Sequence, residues 1–303
     1  MAARPHDSDV DMDDMQQALA LAVRRRDDMP ANMFKYWRAR NALFSRFSEG
    51  ILLDEESWFS VTPEAIAYRI ATQCSCAVAL DGFCGAGGNV IQLAITCGHA
   101  VGIDIDPVKL AMARHNARIY GVEDKITFLL GDFCEFARDS ARGDAAGEAA
   151  ERRWQGWHRR DVDLYSPPWG GVDYQDPANM QERPADTALP KTPPRMSPET
   201  KQGDACRTDC QRTMYTDLYP LSELRPCGGK KLVKLARLVS PRTVLYLPRN
   251  VDLDDVAHLA IVPGTQTCVP VHVEELWMGL KLKALAVYIN IATAPGRAVM
   301  AAE

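Results

Sequence analysis

The chain reads as an α/β protein: a parallel sheet with helices on both faces, preceded by a small helical lobe. Three observations carry that reading. Apolar strand-length runs alternate with helical-period stretches between residues 63 and 165. A glycine-rich turn, Gly82 to Asn89, joins the first strand to the helix after it. The first three strands each end at or just before an aspartate: Asp81, Asp104 and Asp132.

Residues 1 to about 30 are polar and rich in Asp and Met, as expected of a flexible, frayed tail or a loose helix. Residues 31–73 read as the helical lobe. Phe34, Tyr36, Trp37, Leu43, Phe44, Phe47 and Trp58 are interleaved there with Lys35, Arg38, Arg40 and Arg46. Such interleaving suits a phosphate-bearing ligand and equally suits a helical core; different faces can serve each. Thr62 and Pro63 fit N-cap and first position of a helix to Gln73.

The main domain then spans 74–295. Its strands are expected at 77–81, 100–104, 126–130, 162–165 and 243–247, and its helices at 90–96, 107–120 and 230–238. A short helix follows at 254–259. The runs 271–276 and 282–291 alternate as a closing antiparallel pair. Two insertions interrupt the pattern, at about 137–160 and 175–230; the second is rich in Pro, Thr, Lys and Asp.

With 303 residues, 47% hydrophobic and 25% charged, the composition is that of a globular protein. No window is long and apolar enough for a membrane span, and the acidic first thirty residues lack a signal core, so neither membrane nor secretion is expected. A net charge of −5 gives no global attraction to nucleic acid, so contact with it needs a local basic patch. Nine scattered cysteines suit a reducing compartment. Cys206, Cys210 and Cys227 lack a His at useful spacing, and no metal is expected.

An acid, Asp81, stands just before the glycines. It is a poor neighbour for a pyrophosphate, which disfavours NAD, and a good one for a cationic ligand with an amino group, such as S-adenosylmethionine. Glycines including Gly85 give room for the methionine part. Asp104 suits the ribose hydroxyls; Asp132 suits the adenine amino group, with Phe133 against the ring. A strand-end Asp is also a common helix cap, so the joint pattern carries the reading. After the fourth strand comes Ser166-Pro167-Pro168-Trp169-Gly170-Gly171. Two prolines stiffen the loop and leave the carbonyls before them open to accept, while the indole offers a flat face. That arrangement suits chemistry on the exocyclic amine of a nucleobase; an ordinary proline turn with a core Trp is the plain alternative.

The motifs Lys35-Tyr36-Trp37, Leu43 to Phe47, Trp58-Phe59-Ser60-Val61-Thr62-Pro63-Glu64, Phe83-Cys84-Gly85, Ile103 to Lys109, Gly131-Asp132-Phe133, Ser166 to Gly171, Leu247-Pro248-Arg249-Asn250 and Leu282-Lys283 occur in that order. In them the chain resembles the trimethylguanosine synthases, RNA cap guanine-N2 methyltransferases. The resemblance covers most of 33–175 and 240–290. It implies a Rossmann-like, S-adenosyl-L-methionine-dependent methyltransferase that converts 7-methylguanosine caps to 2,2,7-trimethylguanosine, on small nuclear and small nucleolar RNAs. Carried over by position, Thr62, Asp81, Gly85, Asp104, Asp132 and Phe133 would hold the cofactor. Ser166, Pro167 and Trp169 would sit at the reacting amine, with Trp169 stacked on the base. Lys35, Phe44, Arg46, Ser60, Asn116 and Arg249 would lie around the cap and its phosphates. Capped RNA, RNA–protein particles that carry it, a monomeric state and a nuclear or nucleolar location follow from the same resemblance, with the cytoplasm left open. Tyr165 departs from the Leu usual in the family, and neither insertion is a family feature. Two other readings stay open: methylation of another amino group, on adenine, guanine or a glutamine amide, and a cap-binding protein that has lost catalysis.

Overall fold

A computed structural model describes residues 12–142, 161–169, 218–265, 267–293 and 298–300. Most of both expected insertions lies outside these residues, as do Gly170, Gly171, Cys206 and Cys210.

Helix α1 (Met12–Leu21) opens the described chain. Short helices α2 (Phe34–Arg38), α3 (Arg40–Leu43) and α4 (Ser57–Ser60) build the lobe, and α5 (Glu64–Gln73) leads into the sheet domain. Strands and helices then alternate: β1 (Val78–Asp81), α6 (Gly88–Thr96), β2 (His99–Asp104), α7 (Pro107–Tyr120), β3 (Ile126–Leu130), α8 (Phe133–Arg142) and β4 (Val162–Tyr165). The last part comprises α9 (Gly229–Val239), β5 (Thr243–Pro248), α10 (Leu253–Ala257), β6 (Val271–Met278), β7 (Lys281–Ile289) and β8 (Ala298–Met300).

The sheet order is β3-β2-β1-β4-β5-β7-β6-β8. The first five strands are parallel, β7 is antiparallel to both neighbours, and β8 runs parallel to β6. Strand order reverses direction at β1, so the crevice beyond the C-terminal ends of β1 and β4 is the switch point where such sheets bind ligands. The parallel strands are buried on both faces and read as continuous apolar runs, as in Thr243–Pro248, where all six residues are buried. One core, on the side of the lobe, α5, α6 and α7, includes Trp58, Ile66, Ile91 and Phe128; the other, under α8 and α9, includes Phe133, Tyr165, Leu232 and Leu245.

Three expectations are refined by the structure. Residues 12–21, expected within a frayed tail or a loose helix, form a regular helix that packs on α7. Ala18 is fully buried, and the chain after it is tied down where the Val23 amide donates to Leu53 O at 2.9 Å. The buried stripe is only a few small residues wide, which composition conceals. Secondly, Pro63 is the N-cap of α5, not its first residue, and Thr62 makes no capping bond. The first expected insertion also starts later, because α8 continues to Arg142. Helix α7 begins and ends as expected: Asp106 accepts from Val108 and Lys109 amides, Pro107 leads, and Gly121 closes it at φ 70°.

Lobe and sheet are joined by buried polar contacts. The Lys109 ammonium on α7 reaches Asp54 (2.9 Å), Glu56 (3.0 Å) and the Ser57 hydroxyl (3.3 Å). Burial alone would lower this lysine's pKa; Asp54 and Glu56 overcome that and hold it above the ordinary value. Glu64 accepts from the Ser45 hydroxyl at 2.7 Å, the Ser45 amide at 2.6 Å and the Tyr120 hydroxyl, which pins the turn carrying Arg46.

Candidate active site

Asp81 ends β1 and is completely buried. One carboxylate oxygen accepts from the Phe83 amide at 3.3 Å; the other, Oδ2, has no hydrogen-bond partner. Burial, with the charge of Asp104 adding, pushes this carboxyl up to about 7, against the pull of the Phe83 and Val90 amides. Two further buried oxygens lack partners beside the same turn: Thr62 Oγ1 and Asn89 Oδ1. Thr62 is brought there by the lobe, because Gly88 has no side chain. A Cβ at Gly88 would stand 2.5 Å from Val61 Cγ2 and 3.5 Å from Thr62 O. Gly85 (φ 50°) and Gly87 (φ 98°) take backbone conformations that glycine permits, and a Cβ at Gly85 would meet nothing within 4 Å. An ammonium group is the natural partner for three orphaned acceptors, one of them a carboxylate, around an open glycine turn.

Asp104, at the end of β2, is half-buried. Its oxygens accept from the amides of Gly85 (2.8 Å) and Asp106 (3.0 Å), fixing the carboxylate against the turn. Burial raises its pKa above the ordinary value. Carboxylate oxygens retain further lone pairs for two vicinal hydroxyls. Asp132 accepts from the Cys134 amide at 2.6 Å and so caps α8, a role compatible with one oxygen facing a ligand. Phe133 is buried beneath the turn with its ring 4.6 Å from that of Tyr165 and 5.8 Å from Phe83. This residue set fits S-adenosylmethionine: acceptors for its amino group, room for its chain and a second carboxylate for its ribose.

The Ser-Pro-Pro-Trp loop lies beside Asp81. Asp81 pairs with Leu164 across β1 and β4, and the Gly82 amide donates to Leu164 O at 3.1 Å. Ser166, half-buried, therefore begins one residue past β4, and among the described residues no hydrogen bond engages its hydroxyl. The loop's other half is held. Arg225 N donates to Pro168 O (3.3 Å) and Tyr219 Oη to Trp169 O (3.2 Å). The half-buried indole donates from Nε1 to Tyr246 O (3.2 Å) and tilts 32° over the Tyr246 ring at 5.1 Å. Tyr165 occupies space that Gly82 leaves, since a Cβ there would stand 2.6 Å from its ring; its hydroxyl donates to Asp163 at 2.9 Å. The departure from Leu at this position is thus accommodated under the site, not within it.

The structure brings Thr62, Asp81, Gly85, Asp104, Asp132 and Phe133 around one turn and Ser166, Pro167 and Trp169 next to it. Arg249 follows β5 directly, half-buried. Ser60 is exposed at the end of α4, two residues before Thr62. Lys35 is exposed, its ammonium over the Tyr36 ring at 4.9 Å. Arg46 pairs with Glu49 at 2.6 Å and lies over the Tyr120 ring. Two residues expected at the substrate are engaged within the protein. Asn116 is completely buried and fully used: it accepts from Leu52 N (2.8 Å) and donates to Leu52 O (3.0 Å) and Ala86 O (2.9 Å). Phe44 is 1% exposed and packs in the lobe core beside Tyr120. Asn116 thus ties Leu52 to Ala86 of the turn, and Phe44 packs the lobe on α7. Sequence reasoning gave no role to Asn89 or Tyr246; an Asn at the turn's end was a usable signal, whereas the Tyr246 contact is visible only once strands are ordered.

Fold and site together define an S-adenosylmethionine-dependent methyltransferase. A family model described as RNA cap guanine-N2 methyltransferase matches residues 76–182 and 213–292, and the chain belongs to that family. A trimethylguanosine synthase of Schizosaccharomyces pombe is 33% identical over 240 residues, 76% of each chain. One of Saccharomyces cerevisiae is 28% identical over 232 residues, 74% of this chain and 57% of its own length. Among solved structures, a protein of Porphyromonas gingivalis W83 described as a methyltransferase superposes with a TM-score of 0.53 at 15% identity, covering 96% of this chain and 60% of that one. That likeness supports the fold.

Proposed function

We propose that this chain methylates the exocyclic N2 of a 7-methylguanosine RNA cap, taking it to the 2,2,7-trimethyl form. The observation that carries the reading is the pairing at the switch point: the ammonium-seeking turn of Asp81, Thr62 and Asn89 on β1, and the proline–tryptophan loop on β4, joined through Gly82 and Leu164. When bound, S-adenosylmethionine supplies a methyl group on a positively charged sulfur. The Ser166 hydroxyl and the carbonyls of Ser166 and Pro167 accept N–H bonds from the 2-amino group and turn its lone pair toward the crevice. The Trp169 indole, braced by Tyr246, takes the base; a cationic N7-methylated guanine gains about 0.5–2 kcal/mol of cation–π attraction there over a neutral one. Arg249 neutralises the phosphate bridge, with Lys35 and Arg46 at the rim of the lobe.

Small nuclear and small nucleolar RNAs, free or in their protein particles, are the proposed substrates, with the nucleus as the place of action. A monomeric state is part of the same proposal. Incubation with isotopically labelled cofactor and, in parallel, 7-methylguanosine-capped RNA, unmethylated guanosine-capped RNA and adenosine tests the reading. Mass analysis of the digested product should find one or two new methyl groups on the guanine of the first substrate alone. A methyl on adenine, or none on any substrate despite tight cofactor binding, rejects it.

A further inference from the structure

Two cysteines with no part in the assigned chemistry meet beside Asp132. Cys134 is the second residue of α8, and Cys227 stands two residues before α9. Both are free thiols. Their sulfurs lie 4.0 Å apart although 93 positions separate them in the chain, because α8 and α9 pack together over one face of the sheet. Each is wired to a different part of the site. The Cys134 amide donates to Asp132 Oδ1 at 2.6 Å, so a shift of this residue moves the carboxylate expected at the adenine amino group. Cys227 ends the segment that holds the proline–tryptophan loop from behind, where Tyr219 Oη donates to Trp169 O and Arg225 N to Pro168 O. Cys134 is 5% exposed, and burial, then the charges of Cys227 and Asp132, push its thiol up to about 12. Cys134 therefore stays protonated, and the half-buried Cys227 is the sulfur that an oxidant reaches first. A second close pair, Cys76 and Cys97 at 3.7 Å, lies at the opposite end of β1 and β2, away from the site.

We propose that Cys134 and Cys227 close into a reversible disulfide when a hydroperoxide reaches the protein, and that this bond loosens the site's hold on its cofactor. This rests on the reading of the site in which Asp132 faces the adenine. The Cys227 sulfur, as thiolate, attacks one peroxide oxygen; the O–O bond breaks, and the other oxygen takes up a proton and leaves as water. The Cys134 sulfur then attacks the sulfenic sulfur of Cys227; the S–O bond breaks, and the hydroxyl leaves as water with the Cys134 proton. The two sulfurs lose two electrons and the peroxide gains them. A disulfide holds its sulfurs about 2 Å apart, so the pair must close by about 2 Å. That movement draws the first turn of α8 toward α9, and the Asp132 carboxylate goes with the Cys134 amide that fixes it.

The test treats the full chain with hydrogen peroxide, clears the excess with catalase and titrates S-adenosylhomocysteine by calorimetry, before and after dithiothreitol. A portion is alkylated, digested without reductant and mapped by mass spectrometry. Wild type should yield a peptide linked through Cys134 and Cys227 and lose about tenfold in affinity, the worth of about one hydrogen bond, and dithiothreitol should restore it. C227S should bind as untreated wild type does and not respond to peroxide. C76S/C97S should respond as wild type does. No such linked peptide, a linked peptide with unchanged affinity, or an equal loss in C227S overturns the proposal. Methyl transfer to 7-methylguanosine-capped RNA, measured on the same samples, separates the two claims: a protein that shows the reversible loss yet never methylates guanine when reduced supports the thiol pair and contradicts the assigned reaction.

Discussion

Asp81 is the most heavily constrained side chain of the site. Buried with one oxygen unpaired, it favours its protonated form up to about pH 7 until a cation arrives. The folded protein therefore holds a proton that the unfolded chain releases in the ordinary carboxylate range, and this group's contribution to stability falls as pH rises from about 4 to about 7. Ligand binding carries the opposite sign. A cofactor ammonium needs the ionised carboxylate, so affinity should climb with pH by up to tenfold per unit below about 7 and level off above it. Calorimetry between pH 5.5 and 8 in buffers of different ionisation enthalpy should detect proton release on binding. Asp81→Asn should bind weakly with no such dependence; a flat wild-type profile contradicts the role. Trp169→Ala should lose about tenfold or more in cap affinity, from stacking and cation–π attraction together, with cofactor affinity within twofold of wild type. Parallel titrations with 7-methylguanosine triphosphate and S-adenosylhomocysteine decide it.

The glycine turn and the elements around it are built to leave space. Gly82 admits the Tyr165 ring and Gly88 admits Val61, which carries Thr62 into place. Gly82→Ala should weaken both stability and cofactor binding, and Tyr165→Leu in the same chain should restore much of the loss by clearing the ring that the new methyl strikes. If the double variant is no better than Gly82→Ala, the clash is not the cause. Asn116 holds the lobe from α7. Asn116→Ala strands three buried backbone groups of Leu52 and Ala86, at about 1–3 kcal/mol for each left unsatisfied, and should lower the denaturation midpoint clearly. Unchanged stability with impaired cap binding would return Asn116 to the substrate. The sequence pattern announced α7, β3 and β4 to the residue because each has strong punctuation: Asp106-Pro107 and Gly121, Gly131-Asp132, Ser166-Pro167. It left α1 between a frayed tail and a loose helix, because burial there is carried by Ala18 and a few partly buried neighbours, and it assigned Phe44 and Asn116 to the ligand, where the structure shows both buried and engaged within the protein. Position within a motif does not distinguish a side chain that faces the ligand from one that supports its neighbour; burial and partners do.

Over the molecule as a whole, the glycine turn after β1 lies in the doubly wound half, the proline–tryptophan loop follows β4 beside it, and β5 leads into the antiparallel pair with β7. The lobe is fastened to α7 through Lys109, whose ammonium pairs with Asp54 and Glu56. Lys109→Met leaves Asp54 half-buried and without its cation. It should cost a few kcal/mol and weaken cofactor binding through Thr62, readable as a lowered melting temperature that saturating cofactor partly restores. The acids at the strand ends and the proline–tryptophan loop were legible in the sequence. Their adjacency was not, because it depends on β1 pairing with β4 across eighty residues of intervening chain. The most direct test of that adjacency is a crystal structure of the ternary complex with S-adenosylhomocysteine and 7-methylguanosine triphosphate. In that complex the purine should lie flat on the Trp169 indole, its 2-amino group bonded to Ser166 and facing the sulfur, with the cofactor amine on Asp81. A purine bound elsewhere, or one whose 2-amino group points away from the sulfur, would contradict it.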